Sequence, residues 1–169
     1  YRSSRGLGDV YKRQTNNHTF SKINKKFLEL KKNHKLALMP FIMAGDPDIE
    51  TTSEILLKLQ EKGADIIELG IPYSDPLADG PIIQFSAYRA LQSGTTLIKV
   101  IKLLESLRDK LHIPVILFTY FNPVLNFGFE NFCELASKVG VSGLIIPDLP
   151  LEEAYKFSEI ISSYDIDLI

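Results

Sequence analysis

The sequence predicts an α/β fold built on a parallel sheet, and three observations predict it. Short apolar runs alternate with stretches of helical periodicity about every thirty residues, the spacing of repeated βαβ units. Each helical stretch is long enough to make a right-handed crossover between parallel strands. Polar residues gather where the apolar runs end: Asp46 after the first, Asp75 and Asp79 after the second, Tyr120 and Asn122 after the third, Asp148 after the fourth. A (β/α)8 barrel and a doubly wound open sheet both place ligands at the carboxyl ends of their strands, and periodicity alone leaves the two open. No G-x-G-x-x-G or Walker A sequence follows the first run, so the nucleotide-binding open sheets lose weight.

The elements follow in order. Residues 1–14 have neither periodicity and no initiating methionine, and are expected to be a non-native or disordered leader; residues 15–169 are expected to form one domain. From Thr19 the apolar residues Phe20, Ile23, Phe27, Leu28 and Leu30 fall on one helical face with lysines on the others, which predicts an amphipathic helix capping something apolar. Leu36–Met43 is continuously apolar and predicts a strand buried on both faces, ended by Gly45-Asp46-Pro47. Ile49, Thr52, Ile55, Leu56 and Leu59 mark a helix that Gly63 should close in a left-handed conformation. The second strand, from Ala64, carries Glu68 and breaks into a Gly/Pro-rich loop. Pro81 opens a short extra helix ended by Ser93-Gly94, and Thr95 or Thr96 caps the next, whose stripe is Leu97, Val100, Ile101, Leu104 and Leu107. Ile113–Phe118 reads as the third strand, followed by a polar-aromatic loop, Thr119–Pro123. Phe129, Phe132, Leu135 and Val139 define a helix, Gly143–Ile146 a fourth strand, and Ala154, Phe157, Ile160 and Ile161 another helix. Ile166–Ile169 begins a fifth strand.

With 169 residues, 45% hydrophobic and 24% charged, the chain has material for one domain with a sizeable core. It has no run of about eighteen apolar residues, so no membrane partner is expected. The net charge of −2 hides an asymmetry: residues 1–35 hold ten Lys/Arg against two acids, and residues 36–169 nine against nineteen. The basic arm lacks aromatic interleaving and the body is acidic, so no nucleic-acid partner is expected. The single cysteine, Cys133, reads as a small buried apolar residue without a disulfide partner. Lys/Asn/Ile-rich usage suits an AT-rich genome, and the expected location is the cytoplasm, or a plastid stroma if the chain is plastid-derived.

The stretch from Ala64 to Pro81 carries the chemistry. In a strand Ile66 and Glu68 share one face while Ile67 and Leu69 share the other, so Glu68 has apolar neighbours whichever face is core. A carboxylate there must be paired, hydrogen-bonded or shifted in pKa, which is the setting of a general acid/base. Read from the residues alone, pairing with a lysine or an amide remains an alternative for Glu68, and a turn or helix cap remains one for Asp79.

Pro40-Phe41-Ile42-Met43-Ala44-Gly45-Asp46-Pro47, the run Glu68–Gln84 and Pro147-Asp148-Leu149-Pro150 resemble the tryptophan synthase α chain family, in the right order from about Leu36 to Ile169. The resemblance, placed over about residues 20–169, implies a (β/α)8 TIM barrel of which this chain would be the N-terminal five-eighths, broken off as the fifth strand begins, with an N-terminal capping helix. It implies a lyase that splits indole-3-glycerol phosphate into indole and glyceraldehyde 3-phosphate by a retro-aldol step. Glu68 matches the acid/base, and Asp79 the carboxylate that meets the indole N–H. The chemistry wants both: C3 of the indole gains a proton, the glycerol hydroxyl loses one, and positive charge builds on the ring nitrogen. No metal and no organic cofactor is implied. Phe41, Tyr120, Ile145 and Pro147 match the wall of the indole pocket, and Asp148 matches a substrate or partner loop. Asp75 and Pro76 match the loop facing a β-chain partner in an α2β2 heterotetramer. The loops that hold the substrate phosphate would fall after Ile169, so the 169-residue chain alone is expected to be inactive and poorly stable.

Two other functions compete. A Schiff-base aldolase or similar phosphate-binding barrel enzyme needs a lysine at a strand end, and Lys58, Lys99, Lys102, Lys138 and Lys156 all fall in predicted helices. A non-catalytic protein that docks to a β chain and activates it would keep Asp75 and Pro76 but have no use for Glu68.

Overall fold

A computed structural model describes residues 21–169; the leader reading of residues 1–14, and Phe20, lie outside the described residues. Five strands, β1 (Phe41–Met43), β2 (Ile67–Gly70), β3 (Val115–Phe118), β4 (Gly143–Ile145) and β5 (Asp167–Leu168), pair in parallel in the order β1-β2-β3-β4-β5. A doubly wound sheet reverses its strand order at a switch point. Here every strand is added on the same side of the last, which is how a barrel wall grows, and the architecture that periodicity left open is settled.

The two faces of the sheet are covered differently. Ile67, Leu69, Val115, Leu117 and Leu144 point outward into the main core, where they meet helices α2 (Ile49–Glu61), α4 (Leu97–Leu107), α6 (Phe129–Lys138) and α7 (Leu151–Ser162) through Leu56, Leu104, Phe132 and Ile161. The other face carries Phe41, Glu68, Ile116 and Gly143 in one register row and Met43, Gly70, Phe118 and Ile145 in the next. Below them Ile66, together with Ile116 of the first row, packs on Ile23 of α1 (Lys22–Lys32), so the N-terminal helix does cap the inner face. Ser21 caps that helix by accepting the Asn24 N–H at 3.1 Å. Only Ile23 and Leu30 of its apolar stripe are buried; Phe27 and Leu28 are exposed.

Gly63 ends α2 at φ +93°, as the sequence predicts. Pro81 stands at the start of α3 (Pro81–Gln92), and Thr96 rather than Thr95 caps α4. Thr95 instead packs against Gly45. A Cβ on Gly45, at φ +83°, would lie 1.9 Å from Thr95 Oγ1, so the loop after β1 rests directly on the α3–α4 junction.

Two expectations change. The first strand covers only Phe41–Met43, and Leu36 and Leu38 are 95% and 56% exposed. Pro40 has no N–H for the ladder, and the Leu38 carbonyl accepts from the Asp65 amide before pairing proper begins. The predicted loop after the third strand is instead largely a helix, α5 (Phe121–Phe127). Pro123 falls in its first turn, where a proline costs no intrahelical bond, and the Phe121 N–H is satisfied from outside by Asp148 Oδ1 at 2.8 Å.

Candidate active site

Glu68 lies in the middle of β2 with its neighbours on both sides fixed by register: Phe41 on β1 and Ile116 on β3. It projects to the inner face with Ile66, which is fully buried, and is itself half-buried. Among the described residues its carboxylate has no ion-pair partner. Of the two readings the sequence left open, pairing with a lysine is therefore not the one observed. Two positions along, Gly70 leaves room for the Phe41 ring to cross the strand: a Cβ there would lie 2.8 Å from Phe41 Cζ. Phe41 then meets Phe118 edge to face at 5.7 Å between centroids. Phe41, Glu68, Phe118 and Ile145 thus share one half-open apolar surface with a single acid in it.

Asp79 closes the loop that follows β2. Its amide donates to the Pro76 carbonyl at 3.1 Å, and Gln84 Nε2 donates to the Asp79 carbonyl at 2.8 Å and to that of Pro76 at 3.4 Å. The first turn of α3 thereby holds the loop by its backbone. Asp79 is half-buried, and burial pushes its carboxyl above the usual carboxylate range, with the nearby Tyr120 hydroxyl pulling the other way. Tyr120, at the end of β3, accepts the Ala78 N–H on its hydroxyl at 2.9 Å. Its ring is 5.2 Å from that of Tyr73, whose hydroxyl accepts from Asn122 Nδ2 at 3.2 Å.

The remaining sequence-predicted positions separate into two groups. Ile145 faces the inner cluster beside Ile116, whereas Pro147 lies beyond β4 and is exposed. Asp75 is exposed and Pro76 half-buried, on the outside of the loop that ends at Asp79. Asp148 is exposed and accepts the Phe121 N–H, so it caps α5 and joins the loops after β3 and β4.

Asp46 stands out in the sequence at a strand end, but its partners do not. Arg89 grips it with two bonds, Nε to Oδ1 at 2.7 Å and Nη2 to Oδ2 at 2.6 Å, and the Ser86 hydroxyl also donates to it. The Arg89 bond is the main reason its carboxyl is held below the usual range. Ser93 Oγ donates to the Gly45 carbonyl at 3.0 Å, completing the attachment of the first loop to α3. The signal is there in the three-residue spacing of Ser86 and Arg89, which puts both on one face of the helix, but nothing local says which carboxylate they meet. Among the described residues no group of three or more His, Cys, Asp and Glu could hold a metal ion, and no helix is long and apolar enough to cross a membrane.

Comparison with known proteins adds to this geometry. A family model described as tryptophan synthase alpha chain matches residues 27–169. The tryptophan synthase alpha chain of Prochlorococcus marinus subsp. pastoris is 90% identical over 153 residues, covering 90% of this chain and 55% of that one. The crystal structure of tryptophan synthase subunit alpha from Legionella pneumophila str. Paris superposes with a TM-score of 0.85 at 38% identity, over 89% of this chain and 58% of that one. A crystal structure of tryptophan synthase from M. tuberculosis superposes with a TM-score of 0.83 at 31% identity, over 89% and 60% of the two chains. The chain spans about half the length of the relatives it matches.

Proposed function

Because the chain belongs to the tryptophan synthase alpha chain family, we propose that it carries the proton-transferring part of an indole-3-glycerol phosphate lyase, with Glu68 as the acid/base and Asp79 as the carboxylate that meets the indole N–H. The observation that carries this reading is the position of Glu68: half-buried, unpaired among the described residues, and flanked in register by Phe41 and Ile116. A structural carboxylate in such a place would be matched by a cation; one kept for substrate is left open.

The steps follow from the atoms. A proton added to indole C3 leaves the ring nitrogen carrying positive charge, and a carboxylate at its N–H stabilises that cation. Loss of the proton from the adjacent glycerol hydroxyl forms the aldehyde, the C–C bond breaks, and its electron pair returns to the ring to release indole. Both proton transfers fall to Glu68, and the charge stabilisation to Asp79. Phe41 and Ile145, with Phe118 between them, offer an apolar surface for the ring; Tyr120 is assigned to the same wall, and Pro147, exposed beyond β4, to its rim.

Asp75 and Pro76, on the outer side of the Asp79 loop, are assigned to contact with a β chain, and an α2β2 assembly belongs to the same reading. The cyanobacterial source of the relatives supports the cytoplasm over a plastid stroma. Replacing Glu68 with Gln in a full-length protein tests the reading. Indole release should fall by about 10²–10⁴, the usual contribution of general acid–base catalysis, while activation of the β chain persists. Retained indole formation would remove Glu68 from the chemistry and favour a protein that only docks and activates.

A further inference from the structure

We propose that Arg89 and Ser86 are positioning residues for Asp79: their grip on Asp46, just past the end of β1, sets where α3 lies, and the start of α3 sets where Asp79 stands. The proposal deepens the assignment of Asp79 made above and rests on it.

Asp79 is joined to α3 by the chain itself and by hydrogen bonds. Only Gly80 separates it from Pro81, the first helical residue, whose ring fixes φ and leaves the junction little freedom. Gln84, in the first turn, donates to the Asp79 carbonyl at 2.8 Å and to that of Pro76 at 3.4 Å. Asp79 therefore follows the first turn of α3.

Apolar packing does little to decide where that turn lies. Of the twelve residues of α3 only Ala87 and Ala90 are buried, resting with the half-buried Ile83 on Phe41 and Met43 of β1, whereas Ile82, Phe85 and Tyr88 are 81%, 65% and 60% exposed. Two alanine methyl groups allow close approach but put no large knob into a recess, so they resist sliding along the helix axis only weakly. Directed bonds supply what the packing lacks. Arg89 Nε and Nη2 reach Asp46 Oδ1 and Oδ2 at 2.7 and 2.6 Å, and the Ser86 hydroxyl donates to the same carboxylate. Two parallel bonds between planar groups fix direction as well as distance.

The anchor is itself held. The Gly45 N–H, next to Asp46, donates to the buried Thr52 Oγ1 of α2 at 2.8 Å, and the Gly45 carbonyl accepts from Ser93 Oγ at 3.0 Å. Gln84 and Arg89 are five positions apart, about 7.5 Å along a helix axis, so a slip at one is felt at the other. An exposed ion pair adds little stability, and Arg89 is 58% exposed; what the pair contributes is its geometry.

Arg89→Lys keeps the charge and gives up the two parallel bonds, so in a full-length chain its effect on Asp79 is geometric and not coulombic. A misplacement of ~1 Å can cost about a hundredfold in rate; for this partial slip kcat for indole release should fall about tenfold, with KM changed by less than about twofold, because Asp79 meets charge that develops only as the ring is protonated. With carboxyl-labelled aspartate, the NMR titration of Asp79 should move down toward the ordinary value of 3.8, since burial is what raises it and the loosened loop buries it less. Asp46→Asn breaks the tie from the other side, and the doubly substituted protein should be no slower than the slower single variant. An Asp79 midpoint that stays in place in folded Arg89→Lys, a loss confined to KM, or losses that multiply in the double variant would each overturn the proposal. The titration needs no turnover, so a full-length protein that fails to cleave indole-3-glycerol phosphate would count against the assigned function and leave the tie to be judged by the Asp79 midpoint.

Discussion

Thr119→Val should make the protein more stable. Thr119 is completely buried at the end of β3, and its hydroxyl is the one buried side-chain polar atom among the described residues without a hydrogen-bond partner. Its backbone is well satisfied, with the amide donating to the Ile145 carbonyl at 3.0 Å, so valine need not disturb the strand. A buried hydroxyl without a partner costs about 1–3 kcal/mol. Valine has nearly the same shape, leaves no cavity and puts a methyl group in the apolar surroundings. The expected gain is about 1–2 kcal/mol, equivalent to roughly 2–8 °C in Tm for a chain of this size. Urea unfolding followed by circular dichroism measures it, provided the slope m is the same in both proteins. Thr119→Ser is the matched control: it keeps the orphan hydroxyl, deletes a buried methyl and should cost about 1 kcal/mol. If Thr119→Val proves neutral or destabilising at unchanged m, the hydroxyl has a partner in solution and the reasoning fails.

Other expectations follow from the same contacts. Asp46→Asn removes the bidentate partner of Arg89, and because Arg89 is more than half exposed the loss near neutral pH should be only about 1 kcal/mol. The folded-state pKa of Asp46 is depressed, so its contribution is complete above the ordinary value of 3.8 and disappears as the pH falls below it; urea midpoints of the two proteins should therefore converge in acid, and a gap that persists there would point to packing instead. Gly45→Ala places a methyl 1.9 Å from Thr95 Oγ1 at φ +83° and should cost about 3 kcal/mol or more, read as loss of the folding transition at moderate urea; a wild-type midpoint would contradict the close approach. Cys133 is fully buried and its thiol is pushed up to about 11, mainly by burial, so a disulfide reagent at pH 8 should label it only as fast as the chain opens. Prompt stoichiometric labelling in native buffer would show that the α6 contact is loose. Indole release by the 169-residue chain alone should be undetectable against a full-length α chain in the same assay.

The parallel α/β order was legible because it is written in local patterns: apolar runs, helical stripes, Gly63 and Gly94 as stops, Pro81 as a start. Its limits came where long-range contacts decide. Leu36 and Leu38 look like strand residues because they are apolar, but Pro40 breaks the ladder and leaves them outside it. The segment after β3 looks like a loop because it is polar, aromatic and contains proline, yet a carboxylate from the next loop, Asp148, supplies the missing cap and a helix forms. The site divides in the same way. Glu68 announces itself as an acid inside an apolar run, and the loop to Asp79 by its density of Gly, Pro and Asp. The grip of Tyr120 on Ala78 spans 42 residues and that of Arg89 on Asp46 spans 43, and no periodicity reports such distances.

The loops at the mouth are tied to one another more than to solvent. Arg89 and Ser93 fasten the first to α3, Gln84 fastens the second to the same helix, Tyr120 and Asn122 join the second to the third, and Asp148 joins the third to the fourth. Such a rim behaves as a truss and not as a row of independent flaps. Asp75 lies between the Tyr73–Asn122 tie and the Gln84–Pro76 tie, so its loop is held on both sides. Backbone amides far apart in sequence, those of Ala78 and Phe121 above all, should then gain and lose protection from hydrogen exchange together, as struts of one frame.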